Sequence, residues 1–138
     1  MIAVHEVGDD EVQRYGIVVG DERAAVIEVS DVIEKPAAAA VSSRLAVAAR
    51  YVLGPAVFDA LRATPPDPSG EVQLADALRA VIAAGGRVVA LRLAAGERRH
   101  DIGTIESYCA AFLEYALTDS RFGPALRDRA RALLDGSG

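Results

Sequence analysis

The sequence predicts an α/β fold, a sheet with helices packed on it. Runs of strand character alternate with runs of helical period along all 138 residues. No Pro/Gly/Ser-rich linker divides them, so 1–138 reads as one domain. Hydrophobic residues make up 51% and charged residues 25%, a globular balance in a chain long enough to bury a core.

Ile2 to Val7 carries the β-branched residues of a short strand, and Gly8-Asp9-Asp10 turns the chain. Gly16 to Val19 predicts a second strand. Ala24 to Val29 predicts its hairpin partner, with Gly20-Asp21-Glu22-Arg23 as the turn. Pro36 biases Lys35 toward extended backbone. Ala37 to Ala40 is a loop with at most one helical turn. Leu45 to Leu53 is almost wholly apolar, and a short run ending at Gly54-Pro55 suits a strand buried on both faces.

Pro55 suits the start of a short helix with Val57, Phe58 and Leu61 on its inner face. Thr64 to Gly70 is a loop. Leu74, Ala77, Leu78, Val81 and Ile82 follow helical spacing, and Gly85-Gly86 stops that helix. Arg87 to Leu93 alternates as a strand. Thr104 is a plausible N-cap for a helix burying Ile105, Tyr108, Cys109, Phe112 and Ala116. Pro124 opens a last helix with Leu126, Ala130, Leu133 and Leu134 inward. The front of the chain has strands but no earlier helix to cover the sheet, the pattern of a domain entered midway.

Several function classes are disfavoured. Net charge is −5, aromatics are 5% and Trp is absent, which argues against nucleic-acid binding. No apolar run reaches the roughly 20 residues of a membrane span, and the first residues carry no secretory pattern. One cysteine, Cys109, permits no internal disulfide and suits a reducing, cytoplasmic setting. His5 and His100 lack metal-ligand spacing. Of 15 Lys and Arg residues, 14 are Arg, so the lone Lys35 stands out.

The order of short motifs is familiar. "VHEV…RYGIV" (Val4 to Val18), "VIEKP" (Val32 to Pro36), "LAVAARYVL" (Leu45 to Leu53), "TPPDPSGEVQLADAL" (Thr64 to Leu78) and "RRHDIG" (Arg99 to Gly103) occur in sequence. From Ile2 to about Arg127 the chain resembles the second half of the bacterial UTP–glucose-1-phosphate uridylyltransferases, within the sugar-1-phosphate nucleotidyltransferases. The resemblance implies a partial Rossmann-like nucleotidyltransferase sheet without its N-terminal nucleotide-binding half. It implies formation of UDP-glucose from UTP and glucose 1-phosphate, with Mg2+ shared with the absent half.

By the same resemblance, Lys35 contacts a phosphate as the catalytic cation; its other reading is a solvated surface lysine. Glu34 accepts hydrogen bonds from sugar hydroxyls, or merely pairs with Lys35. Gly16 lets backbone approach the sugar, or is an ordinary strand glycine. Val47 offers backbone to the sugar, or is core. Asp101 is one magnesium carboxylate, or a helix cap. Ala49 stands where the family has Gly, Arg44 where it has Asn, and Ala75 where it has Thr. No Gly-rich loop opening a helix is present to cradle a triphosphate.

The implied partner is glucose 1-phosphate or a similar sugar phosphate. A sheet cut partway would expose an edge needing cover, from a homo-oligomer or a separate N-terminal half. A non-catalytic oligomeric binding or regulatory module, or a truncated remnant, are the alternative functions.

Overall fold

A computed structural model describes residues 1–136. It divides into two compact units, Met1–Glu97 and the residues from Arg98 onward. The first unit runs β1 (Ile2–Glu6), β2 (Gly16–Gly20), β3 (Val26–Glu34), β4 (Leu45–Tyr51), α1 (Ala56–Ala63), α2 (Leu74–Ala83) and β5 (Val89–Arg92). Single 3-10 turns at Val12–Arg14 and Ala38–Ala40 join the strands. The second unit holds α3 (Ile105–Thr118) and α4 (Gly123–Leu134). The α/β class is borne out.

The five strands close into a ring ordered β1-β4-β2-β3-β5. β1 runs parallel to β5 and antiparallel to β4, while β3 is antiparallel to both β2 and β5. The expected cut edge is therefore absent. β5 returns between β1 and β3, so every strand has two neighbours and its backbone groups find partners within the unit.

Strand alternation sorts the core into two clusters. Val18, Leu45 and Val47 join Ile2, Val4, Ile27 and Ala90 on the face covered by α1 and α2. Their neighbours Ile17 and Ala46 turn to the opposite face and pack with Val12 and Val41. That explains the apolar run of β4. Leu45 to Ala48 are buried on both faces, whereas Ala49 to Tyr51 are exposed. The strand ends at Tyr51, two residues before the predicted Leu53, and within it Ala49 takes a left-handed φ of 54° where the β1–β4 register shifts between Val4↔Val47 and Ile2↔Tyr51.

An L-residue in that region costs about 1–2 kcal/mol, which glycine avoids. Ala49 is exposed, so Ala49→Gly loses no packing. We expect a net gain of up to about 1 kcal/mol after glycine's greater unfolded-state entropy is subtracted. A higher urea midpoint at unchanged m-value would show it; a lower midpoint would mean that no strain is stored there.

Other differences are local. β3 extends to Glu34, further than the hairpin pattern predicted, because β2 pairs with it as far as Gly16↔Glu34, and Asp31 in that stretch is satisfied. Its carboxylate accepts from the Val32 N–H and from Arg79 Nε, both at 2.8 Å. Phe58 is 57% exposed although its spacing puts it on the inner face of α1; Val57 and Leu61 do pack inward. Lys35 is not extended but left-handed, φ 44°. Pro36 disfavours only the right-handed helical region, and the Lys35 N–H donates to the Tyr15 carbonyl at 3.0 Å, which holds the turn.

The second unit departs most. Thr104 caps α3 as expected, its hydroxyl accepting from the Ser107 N–H at 3.2 Å. Yet Ile105, Tyr108 and Phe112 are 77%, 53% and 64% exposed, and Cys109 is exposed rather than inert core. Leu126, Leu133 and Leu134 of α4 are exposed too. Two helices alone bury little: among their described residues only Ala111 of α3 and Gly123 of α4 are buried. No described helix is long and apolar enough to cross a membrane.

Candidate functional site

The pairing of β2 with β3 sets Gly16 directly opposite Glu34. A Cβ at Gly16 would lie 3.1 Å from Glu34 Oε2 and 3.6 Å from Val47 Cγ2. The missing side chain thus leaves the space that the carboxylate enters. Glu34 Oε1 stands 3.7 Å from Lys35 Nζ. The left-handed turn at Lys35 lets these adjacent side chains meet; in regular extended backbone they would point to opposite faces. Strain held at a polar site is a pointer to function.

Gly16, Glu34 and Val47 line one recess of about 200 Å³. Drug-sized ligands usually occupy pockets of roughly 300 Å³ or more, so this recess suits one small ring. Leu74, Ala75 and Leu78 of α2 form its apolar wall. Lys35 does not line it; its ammonium is exposed at the Glu34 side.

Tyr51 and Gln73 complete the lining, and the motif reading passed over both. Burial first, then the charge of Glu34, raises the Tyr51 hydroxyl pKa above its ordinary value. The signal for Tyr51 was faint, because it belongs to an apolar strand run. Gln73 carried a clearer one. It follows a Pro-rich loop and stands at the N-cap of α2, where Ser, Thr, Asp and Asn are preferred.

Two substituted positions also have structural roles. Arg44 bonds Asp9 at 2.5 Å and the carbonyls of Val41 and Ser43 at 2.9 Å, tying down the start of β4. Ala75 is buried and keeps the recess wall apolar.

Asp101 belongs to the second unit. Its carboxylate accepts from Arg99 Nη2 at 3.2 Å and from the Gly103 N–H at 3.3 Å. It is not the cap of α3, since Thr104 fills that position. Among the described residues no group of three or more His, Cys, Asp or Glu side chains stands close enough to hold a metal. One carboxylate already paired with an arginine does not fit a resident metal site.

Comparison with known proteins finds relatives by sequence and by fold. A model of the nucleotidyl transferase family matches residues 1–117. The UTP–glucose-1-phosphate uridylyltransferase of Mycoplasma pneumoniae is 36% identical over 120 residues, covering 85% of this chain and 40% of the relative. A Pseudomonas aeruginosa protein of the same name is 38% identical over 112 residues, covering 80% and 39%. A UTP-bound UGPase structure from Acinetobacter baumannii superposes with a TM-score of 0.80 at 30% identity, over 96% of this chain and 45% of that one. A UDP-glucose pyrophosphorylase complexed with UDP-glucose gives 0.73 at 36% identity, over 83% and 42%. This chain spans about two fifths of the length of the curated relatives it matches.

Proposed function

This chain belongs to the nucleotidyl transferase family, and on that footing we propose that residues 1–138 act as the sugar-phosphate-binding domain of a UTP–glucose-1-phosphate uridylyltransferase. The observation that carries the reading is the convergence of Gly16, Glu34 and Val47 on one small recess. Glu34 accepts hydrogen bonds from ring hydroxyls, which a carboxylate does with two oxygens. Gly16 leaves room for that carboxylate and keeps its part of the recess lining free of a side chain. Val47 offers backbone and a methyl wall. Lys35, at the Glu34 side, meets the phosphate with a compact charge.

The reaction is a direct attack of the sugar-phosphate oxygen on the α-phosphorus of UTP, releasing pyrophosphate. This chain contributes position and charge. Its sequence offers no Gly-rich loop opening a helix to grip a triphosphate. Asp101, paired with Arg99, does not by itself fit the family's divalent metal, and the described residues supply no group of three or more ligands around it.

The isolated chain is therefore expected to bind glucose 1-phosphate weakly and to make no UDP-glucose. Pyrophosphate release from UTP, glucose 1-phosphate and magnesium tests the second point; turnover by this polypeptide alone would refute it. Calorimetry with glucose 1-phosphate tests the first. The exposed apolar residues of α3 and α4 favour a second reading, a non-catalytic homo-oligomeric module. A dimeric native mass with no sugar-phosphate binding would select it.

A further inference from the structure

We infer that Gln73 reads one hydroxyl of the bound sugar through its amide oxygen, and that Asp67 is the positioning residue that aims it. The inference rests on the sugar-phosphate reading of the recess and adds a specificity determinant to it.

Asp67 is the hub of the loop before α2. Its Oδ1 accepts from the Ser69 N–H at 2.8 Å, the Ser69 hydroxyl at 2.6 Å and the Glu71 N–H at 3.1 Å. That leaves Oδ2 for Gln73, whose Nε2 donates to it at 2.8 Å. The same Nε2 lies 3.4 Å from Glu71 Oε2. Both amide protons of Gln73 thus face carboxylates, and the opposite end of the amide, its acceptor oxygen, is left for a donor.

The loop that holds this arrangement is stiff. Pro65, Pro66 and Pro68 each fix a backbone dihedral. The Asp67 N–H donates to the Glu71 carbonyl at 2.8 Å, and the Gly70 N–H to the Asp67 carbonyl at 2.9 Å. The Ser69 hydroxyl first, then the Gln73 amide, holds the Asp67 carboxyl well below the usual carboxylate range. Asp67 therefore stays an acceptor throughout the neutral range. Gln73 itself makes no side-chain cap for α2. A half-buried glutamine at an N-cap that does not cap, yet lines the recess with its amide fixed, is placed for recognition.

The chemistry that follows is a pair of acceptors, Glu34 and Gln73, read against a polyhydroxylated ring. A site built to accept from a hydroxyl discriminates against a ligand lacking it. Ligand-detected titration of the full chain with glucose 1-phosphate and its 2-, 3-, 4- and 6-deoxy analogues tests this. Wild type is expected to bind one analogue about threefold to tenfold more weakly than glucose 1-phosphate through loss of the Gln73 contact. Gln73→Met, similar in length but without an acceptor, should erase the penalty at that position and keep the others. Asp67→Asn presents a donor where Gln73 needs an acceptor, so it should turn the amide and erase the same penalty. A wild-type pattern of penalties in either variant that folds would overturn the inference while leaving the sugar-phosphate reading intact. Absence of binding by wild type to any ligand of the series would overturn both.

Discussion

Glu34→Ala is expected to lower affinity for glucose 1-phosphate by about tenfold to a hundredfold. The estimate follows from the worth of a hydrogen bond to a charged group, about 1.5–3 kcal/mol, at about 1.4 kcal/mol per tenfold. Glu34 supplies the anionic acceptor of the recess and occupies the space that Gly16 leaves open. Glu34→Gln keeps one acceptor oxygen and the shape, so its loss should be smaller. The effect will not add simply to that of Lys35→Ala. Glu34 Oε1 lies 3.7 Å from Lys35 Nζ, so removing either residue frees the other. Calorimetry on both single variants and the double variant gives the coupling. Unchanged binding in Glu34→Ala would remove the recess from the proposal.

Leu45→Ala is expected to destabilise the first unit by about 2–5 kcal/mol. Leu45 is fully buried, pairs with Glu6 and Val18 across two strands, and packs within the cluster under α1 and α2. Domains of this size are stable by only about 5–15 kcal/mol, so the loss is a large share of the total. It also bears on function, because Leu45 lies on the same strand face as Val47 at the recess. Phe58→Ala is the matched control. Phe58 is large and apolar but 57% exposed, so its loss should stay within about 0.5 kcal/mol. Urea unfolding followed by circular dichroism measures both. Equal losses at the two positions would contradict the burial described here.

Most of the first unit was legible because its signals are local. β-branched residues marked β1, the turn at Gly20-Asp21 closed β2, alternation marked β5, the Pro55 start marked α1, and the Gly85-Gly86 stop closed α2. The candidate residues Gly16, Glu34 and Val47 were legible as motifs, but their convergence was not. It depends on Gly16 pairing with Glu34 and on β4 lying beside β2, contacts between residues far apart in the chain. Tyr51 was hidden for the same reason, and Gln73 showed only as an unusual N-cap residue. Nothing near them in sequence says that a β4 tyrosine and an α2 N-cap share a cavity wall.

In the second unit, period was read correctly and burial was not. Ile105, Tyr108 and Phe112 keep helical spacing, yet spacing names a face without naming what covers it. The sequence by itself determined the element types, the turn chemistry and the kinds of side chain available to bind a sugar phosphate. Those follow from each residue's own backbone preferences and polarity. Only the tertiary structure decided that five strands close into a ring, that Lys35 and Ala49 sit in left-handed backbone, and which side chains share the recess. Such features are set by packing and hydrogen bonds between distant segments, and these outweigh local preferences of about a kilocalorie per mole.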